Sequence, residues 1–320
     1  MKKHVKKGLV WLLCLTLLTG ILAAFAGCDT KEPMHTDTEV ICTNYAALEL
    51  VSGVMESYVE SGGDSAYSIM LLGNEGQDMH SYEPSARDII NIGAADVIVC
   101  TGAETWLDAA ISSSGNKDII RVSMMEVCDT IESDHGHDHE HGGEDCSLIG
   151  QDEHVWLSVE NAIRITQAIE DALCRADEKN ESALRVGGDA YRSQLTTLKD
   201  DYAAMMAEAR RDTVVIADRH PFAYLFRELG LNCVAAFPGC SSETSASFAT
   251  QAMLIEKTRQ LELSYIFIME GSDGKVASVV SSETGAEVLI LNSMQVQTSR
   301  RLSYVEFMRE NLENLRKALQ

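Results

Sequence analysis

Four of the nine histidines lie in one short segment in which imidazole and carboxylate side chains alternate. The segment spans residues 134–145, and its histidines are His135, His137, His139 and His141. No folded core could absorb so many polar side chains, whereas a cation such as Zn²⁺ accepts both imidazole nitrogen and carboxylate oxygen as ligands. We therefore expect a low-affinity metal-collecting loop here, and a merely solvated acidic loop is the alternative.

Three other histidines, His80, His154 and His220, stand where strand-like or helical runs give way to loops. His80 and His220 follow apolar runs that are typical of strands, and His154 precedes a helix expected from about Ser158. Ligands of open α/β sheets bind outside the carboxyl ends of the strands, so a site is expected in such loops. Taken singly, each histidine is better explained as a hydrogen-bonded structural residue, but their shared context predicts a metal site in a cleft between two halves of the chain.

Short apolar runs that are typical of β-strands alternate with segments long enough to form helices. The runs are 39–42, 67–72, 97–100 and 119–122 in the first half, and 213–217, 233–236, 265–269 and 287–291 in the second. Such alternation is typical of parallel sheets covered by helices. It predicts an α/β protein with two similar lobes, each a mostly parallel four-stranded sheet with flanking helices.

One long helix is expected between the two lobes. Apolar residues recur at helical spacing from about Ala183 to Arg211 without an intervening proline, and such a helix would be roughly 40 Å long. We expect it to join an N-terminal lobe at 38–182 to a C-terminal lobe at 212–320, with the linking helix at 183–211. An ordinary surface helix on a single domain is the alternative.

The N-terminus has the layout of a secretory signal. Basic residues precede an apolar run from Gly8 to Ala26, and small residues lead into Cys28. This end resembles bacterial lipoprotein precursors, which implies a signal peptide at 1–27, lipid attachment at Cys28 and a tether at 28–37. An uncleaved anchor helix is the alternative, and in either case the domain would be extracytoplasmic and held at the cell membrane.

The composition is strongly acidic, with 49 Asp and Glu residues against 26 Lys and Arg and a formal net charge of −23. Such a charge repels nucleic acid and concentrates cations near the surface, although acidity alone often serves only solubility. The composition therefore argues against a nucleic-acid partner and agrees with a cationic ligand.

None of the nine cysteines belongs to a Cys-x-x-Cys pair that would suggest a thiolate metal site. Cys42 and Cys100 end apolar runs and are expected to be buried as small hydrophobic residues. An exported domain can form disulfides. Two pairs of cysteines bracket loops and are candidate disulfides. They are Cys128 with Cys146 and Cys233 with Cys240.

Four stretches of the sequence carry a family resemblance. They are His80–Asp88, with the sequence HSYEPSARD, then Glu153–Leu157, His220–Tyr224 and the amphipathic C-terminal stretch Tyr304–Leu319. In these stretches and in their order the chain resembles the zinc and manganese solute-binding lipoproteins of ABC importers, the ZnuA-like and TroA-like group. The resemblance covers essentially the whole mature chain and implies the TroA-like periplasmic-binding-protein fold, in which one long helix joins two α/β lobes.

The resemblance implies that His80, His154 and His220 are metal ligands and that the His-rich segment marks a zinc-handling member. Three neutral imidazoles suit Zn²⁺, whereas Mn²⁺ prefers more carboxylate oxygen, and the manganese members typically have Glu where this chain has His220. Zn²⁺ is therefore the expected ligand. A monomer that works with an ABC transporter permease and its ATPase is also expected.

The fourth ligand is left open by the sequence. Many relatives supply an acidic residue after the last strand of the second lobe, but this chain has Leu291 to Gln295 there. Water is ranked first, and the side chains that could take its place are Gln295, Asn292 and Glu283. Acids next to the expected ligands could orient the imidazoles as hydrogen-bond acceptors. These acids are Asp78, Asp152, Glu153 and Asp218.

Three histidines and a water also form the ligand set of a catalytic zinc, so a zinc hydrolase is the rival from another class. The sequence lacks a His-Glu-x-x-His motif and an evident general base, and a hydrolase does not need a metal-collecting loop. A manganese-delivering homologue and a metal-binding surface adhesin or sensor are further alternatives. The sequence therefore predicts a zinc-binding protein that is not an enzyme and that delivers Zn²⁺ to an ABC importer.

Overall fold

A computed structural model describes residues 38–64, 67–73, 82–132, 150–239, 246–297 and 299–320. These residues belong to one unit, Asp37–Gln320. Two parallel β-sheets of four strands each form its framework. The predicted fold class is thereby confirmed.

The first sheet has the strand order β2-β1-β3-β4, and all of its strands run parallel. Its strands are β1 (Thr38–Cys42), β2 (Tyr67–Leu71), β3 (Val97–Cys100) and β4 (Ile120–Ser123). The helices of this half are α1 (Tyr45–Glu60), α2 (Ala86–Ala94), α3 (Leu107–Ser114) and α4 (Val159–Ala176). A long helix, α5 (Glu181–Glu208), follows them.

The second sheet repeats this arrangement, with the parallel strand order β6-β5-β7-β8. Its strands are β5 (Thr213–His220), β6 (Asn232–Pro238), β7 (Tyr265–Met269) and β8 (Glu287–Leu291). Its helices are α6 (Ala223–Leu229), α7 (Phe248–Gln260), α8 (Lys275–Thr284) and α9 (Tyr304–Leu319). Because the order is the same in both sheets, β3 and β7 occupy equivalent positions, as do β1 and β5.

Each sheet separates two layers of apolar side chains. In β1, Val40 and Cys42 face a large core, whereas Ile41 between them belongs to a smaller core with residues of α2 and α3. The second sheet has a corresponding small core under α7 and α8. The large core contains residues of both sheets and of α1, α4, α5 and α9, so the two halves share one apolar interior.

Helix α5 has 28 residues and is about 42 Å long. One face of α5 is buried from Leu184 to Met205, as the predicted spacing requires. Near its C-terminus, the Tyr202 hydroxyl donates a hydrogen bond of 2.7 Å to the Met308 carbonyl in α9. The helix begins and ends two to three residues earlier than the predicted 183–211, and the division into lobes at these residues stays a prediction.

Two adjacent glycines allow α5 to lie close to its neighbours. A Cβ atom on Gly187 would lie 2.5 Å from the Tyr58 Cα in α1, and one on Gly188 would overlap the Glu170 carboxylate of α4. Glu170 is 1% exposed, and it accepts hydrogen bonds from Arg185 and Arg192 of α5. This buried carboxylate is thus paired with two guanidinium groups, which offsets the cost of its desolvation.

The first and last residues of β3, β7, β8 and α9 agree with the prediction, but β5 is longer than expected. It continues from Ala217 to His220, with an irregular register between Ile216 and Arg219 where it pairs with β6. The polar residues after Ala217 were expected to form a loop. His220 is instead the last residue of a strand, which fixes its backbone more firmly than a loop would.

Cys42 and Cys100 are fully buried, which confirms their expected place in the core. Burial raises the pKa of the Cys100 thiol to about 12. Cys128 and Cys233 form no disulfide with a described residue. Their suggested partners Cys146 and Cys240 lie outside the described residues, so these two disulfides stay predictions. The signal segment, Cys28 and the His-rich segment also lie outside them.

None of the helices in the described ranges combines the length and the apolar character that a membrane span requires.

We expect Gly187→Ala to destabilise the protein by about 2 kcal/mol, because the added methyl group must push α5 away from the α1 backbone. This cost exceeds the gain in helix propensity, which is about 1 kcal/mol. The midpoint of urea denaturation measures the change.

Val186→Ala is the matched control, since Val186 precedes Gly187 in the same helix and is 53% exposed. We expect its effect to lie within about 0.5 kcal/mol. Equal stability of Gly187→Ala and the wild type would contradict the close packing of α5 on α1.

Candidate metal site

His154 is held in a defined orientation by one carboxylate. Its side chain is 3% exposed, and its Nδ1 atom lies 2.8 Å from Asp152 Oδ1. The same oxygen accepts the backbone N–H of His154 at 2.9 Å. A carboxylate oxygen only accepts, so this network assigns the proton to Nδ1 and leaves the lone pair on Nε2. This is the tautomer in which Nε2 can bind a metal.

The pKa of Asp152 reflects this contact. Burial acts to raise the pKa, but the hydrogen bonds from the ring and backbone of His154 and the nearby His220 hold it below its ordinary value. The carboxylate is therefore ionised at neutral pH and remains an acceptor for the His154 ring. Asp152 was one of the four acids expected to orient a ligand, and this hydrogen bond is present.

Gln295 faces the other nitrogen of the His154 ring. Its amide Nε2 lies within hydrogen-bonding distance of His154 Nε2 and comes from the segment after β8, in the other half of the chain. A half-turn of the amide exchanges its nitrogen and oxygen. Gln295 can therefore direct either a donor or an oxygen ligand to the point where the lone pair of His154 is aimed.

His220 closes the C-terminal end of β5. Its ring centroid lies 5.1 Å from that of Phe226, and its backbone N–H donates to the Gly239 carbonyl at 3.2 Å. The ring is close enough to Asp152 to contribute to the lowered pKa of that carboxyl. Asp152 therefore has a hydrogen bond from His154 and a weaker electrostatic interaction with His220, which belongs to the other half of the chain.

The other residues considered for the fourth position have different partners. The Asn292 amide donates to Glu310 at 3.2 Å and to Asn311 at 3.3 Å, both in α9. Glu283 lies in the last turn of α8, where it forms an exposed ion pair of 3.1 Å with Arg259. Among these three candidates, the structure places only Gln295 against His154.

Two of the remaining predicted acids have other surroundings. Asp218 accepts the backbone N–H groups of Arg219 at 2.8 Å and of Met269 at 3.3 Å, so it connects β5 to β7. Glu153 lines a cavity of about 450 Å³, together with Trp156 and Gln295. Glu83 contributes a second carboxylate to this lining, and negative charge in a concave site attracts cations.

Trp156 connects the two halves of the chain directly beside His154. Its indole Nε1 donates a hydrogen bond of 2.8 Å to the Ser293 carbonyl, two residues before Gln295. The Trp156 carbonyl in turn accepts a 2.7 Å hydrogen bond from the Tyr304 hydroxyl of α9. These buried contacts set how far the His154 segment lies from the Gln295 segment.

Tyr224 makes a similar connection behind Asp152. Its hydroxyl donates to the Asp152 carbonyl at 2.6 Å and accepts the Ile131 N–H at 2.9 Å. The tyrosine belongs to α6, in the second half of the chain, whereas both of its partners belong to the first.

Glu270 was missed by the sequence analysis. It follows β7 directly, and its carboxylate accepts hydrogen bonds from the Ser293 backbone, the Ser293 hydroxyl and the Met294 backbone at 2.7, 2.6 and 3.1 Å. Desolvation raises the pKa of Glu270 despite these bonds. An acidic residue at the carboxyl end of the apolar run 265–269 was the available signal.

His80 and the His-rich segment lie outside the described residues, so the structure does not test their part in the site. Within the described ranges, no group of three or more His, Cys, Asp or Glu side chains is arranged around a common point. What the structure does bring together is the His154 imidazole, the Asp152 carboxylate and the Gln295 amide. Nitrogen from histidine and oxygen from an amide or carboxylate are ligands that Zn²⁺ accepts.

Comparison with known proteins gives consistent results at the level of family and fold. Residues 52–318 match the family described as ZnuA, the periplasmic zinc-uptake complex component A. The zinc-binding lipoprotein AdcA of Streptococcus pneumoniae is 27% identical over 311 residues, which is 94% of this chain and 60% of that protein. The chain therefore spans about 60% of the length of the AdcA relatives that it matches.

Solved structures show the same fold. The Zn(II)-bound ZnuA-like domain of S. pneumoniae AdcA is 26% identical with a TM-score of 0.69, and the match covers 88% of this chain and 99% of that domain. The metal-dependent lipoprotein YcdH of Bacillus subtilis is also 26% identical, with a TM-score of 0.71 and coverage of 88% and 99%.

We expect Asp152→Ala to weaken Zn²⁺ binding by about 10- to 100-fold, because the His154 ring loses the acceptor that fixes its tautomer and orientation. Competition with a zinc-binding dye of known affinity measures the change. Asp152→Asn keeps an oxygen acceptor for Nδ1–H and should lose much less. If alanine and asparagine variants both bind as tightly as the wild type, Asp152 does not orient a ligand.

Proposed function

The chain belongs to the zinc-uptake complex component A family, and on that basis we propose that it captures Zn²⁺ outside the cytoplasmic membrane and delivers it to an ABC importer. Members of this family are solute-binding proteins. The observation that carries the proposal is the convergence at His154, where Asp152 directs the lone pair of Nε2 toward Gln295 from the other half of the chain.

The proposed ligands are His80, His154 and His220, with Gln295 in fourth position. Imidazole nitrogens with one oxygen ligand form a tetrahedral set that suits Zn²⁺, whereas Mn²⁺ prefers more carboxylate oxygen. The support from the described residues is that Gln295 contacts His154, and that His220, at the end of β5, acts electrostatically on the Asp152 carboxylate that binds His154. Gln295 takes precedence over water here because its amide already contacts His154.

Binding would exchange one hydrogen bond for coordination bonds. The Gln295 amide uses the same His154 nitrogen that an ion needs, so capture requires a half-turn of this amide and a displacement that separates the two side chains enough to admit the ion. The Trp156–Ser293 and Tyr304–Trp156 hydrogen bonds and the shared core oppose wide separation of the two halves. We therefore propose that uptake and release use local movements rather than a large hinge closure.

The lipid anchor, the His-rich segment and the acidic surface are features of the sequence that would support zinc capture. Lipid attachment at Cys28 would hold the protein at the outer side of the cytoplasmic membrane, next to the permease and ATPase that receive the ion. The segment with His135 to His141 would collect Zn²⁺ weakly before its transfer to the tight site. The acidic surface, with a net charge of −23, would raise the local cation concentration.

Calorimetric titration of the full-length protein in detergent with Zn²⁺, in competition with a chelator, tests this function. We expect one tight site and several weak ones in the wild type. His220→Ala should weaken the tight site by at least about 100-fold, since four ligands share roughly 10–16 kcal/mol. Deletion of residues 134–145 should remove only weak sites.

Retention of the tight site in His220→Ala would place the metal elsewhere, and the proposed ligand set would then be wrong. Loss of the tight site on deletion of 134–145 would assign it to the His-rich segment instead of the cleft. If the wild type has no tight site, the proposed function is wrong.

We expect Gln295→Glu to tighten Zn²⁺ binding by about tenfold, because an anionic oxygen ligand attracts the cation more strongly than a neutral amide. Gln297→Glu is the control, since it adds the same charge two residues further along and Gln297 lines a different cavity. An equal gain in both variants would indicate long-range electrostatics, and no gain at Gln295 would contradict its place as a ligand.

A further inference from the structure

Glu270 organises the segment that ends at Gln295. All three of its hydrogen-bond donors belong to Ser293 and Met294, and no ion pair to a described residue neutralises it. Three neutral donors from two consecutive residues thus satisfy a desolvated carboxylate. A carboxylate that accepts several N–H and O–H groups holds them in defined directions because each bond is charge-assisted.

These contacts continue to Gln295 itself. The Ser293 hydroxyl donates to Glu270 and accepts the Gln295 backbone N–H at 3.4 Å. Met294, which lies between Ser293 and Gln295 in sequence, has a φ of 55° and a side chain that is 2% exposed. A methionine in this left-handed conformation is strained by about 1–2 kcal/mol, and such strain persists only where the surroundings fix the backbone.

The peptide group that joins Ser293 to Met294 is fixed at both ends. Its N–H, on Met294, donates to Glu270, and its C=O, on Ser293, accepts from the Trp156 indole. One peptide plane thus connects the acid after β7 to the tryptophan two residues after His154. Rotation of this plane would break both bonds and move the backbone from which the Gln295 side chain departs.

We propose that Glu270 is a positioning residue of the metal site, which acts through Ser293 and Met294 to aim Gln295 at His154 and so sets the affinity for Zn²⁺. This inference rests on the proposed function. Glu270 does not touch the ion. Its part is to fix the position of the ligand that the second half of the chain contributes after β8.

The first half of the chain offers a matched control. Glu104 follows β3, the strand equivalent to β7, and accepts the N–H groups of Thr101 and Gly102 at 2.8 Å as well as the Thr43 hydroxyl. Glu104 and Glu270 are both half-buried, and Glu104 borders the cavity beside Gln295. Its donors, however, do not lead to a proposed ligand. Glu104→Gln therefore removes one negative charge near the site but leaves the contacts that position Gln295 intact.

The test compares Glu270→Gln, Glu104→Gln, Gln295→Ala and the double variant Glu270→Gln with Gln295→Ala, each in the full-length protein in detergent. A glutamine at 270 keeps the size of the side chain but presents an NH₂ group to N–H donors. We expect a 10- to 100-fold loss of Zn²⁺ affinity in Glu270→Gln and less than a threefold loss in Glu104→Gln. The visible absorption spectrum of bound Co²⁺, which reports ligand geometry, should change only in the former.

The double variant separates positioning from general destabilisation. If Glu270 acts through Gln295, the Glu270→Gln change should cost no further affinity once Gln295 is alanine. An equal loss in both backgrounds would overturn the proposal, as would an unchanged affinity and Co²⁺ spectrum in Glu270→Gln. Absence of tight Zn²⁺ binding by the wild type would overturn the proposed function, and this inference with it.

Ser293→Ala provides a second variant in case Glu270→Gln does not fold. It removes the hydroxyl between Glu270 and Gln295 but keeps the carboxylate and both backbone donors. We expect a smaller loss of Zn²⁺ affinity in the same direction, which disappears in the Gln295→Ala background. A Ser293→Ala variant that folds and binds as tightly as the wild type would contradict the proposed path.

Discussion

The hydrogen bond from the Trp156 indole to the Ser293 carbonyl joins the two halves of the chain at the place where the candidate ligands meet. Its partners are 137 residues apart in sequence. His154 lies two residues before one partner, and Gln295 lies two residues after the other. Because a metal site requires its ligands to be held within a fraction of an ångström, this connection and those of Tyr304 and Tyr224 constrain the geometry of the described part of the site.

The arrangement of the sheets makes that connection possible. Both sheets have the same strand order, and in parallel sheets the loops at the carboxyl ends of the strands collect at one edge. His220 ends β5, Glu270 follows β7, and the Gln295 segment follows β8. The core around α5 then holds the two halves against each other, so the site depends on packing far from it.

The sequence predicts the elements well because their signals are local. The bounds of β7, β8 and α9 follow from apolar runs and helical spacing, which neighbouring residues alone determine. The extension of β5 to His220 does not follow from them, because polar residues remain in that strand through pairing with β6. Local patterns carry no information on such long-range pairing.

In the candidate site too, contacts between sequence neighbours could be predicted, whereas contacts between distant residues could not. Asp152 and His154 are two residues apart, so their contact could be expected from the sequence. The contacts of Gln295 with His154 and of Glu270 with Ser293 join residues 141 and 23 positions apart. Nothing in the composition of either segment specifies these partners, and a left-handed Met294 is not a conformation that its residue type suggests.

The apolar interior shared by both sheets has a consequence for cooperativity. Because residues of β1 and β5 belong to the same core, the two halves cannot unfold independently without exposing each other's buried surface. Loss of structure in one half should therefore destabilise the other, so the described parts of the two halves are coupled in unfolding. An ion bound at one edge of the sheets would then slow amide hydrogen exchange throughout the core, including strand ends distant from the site.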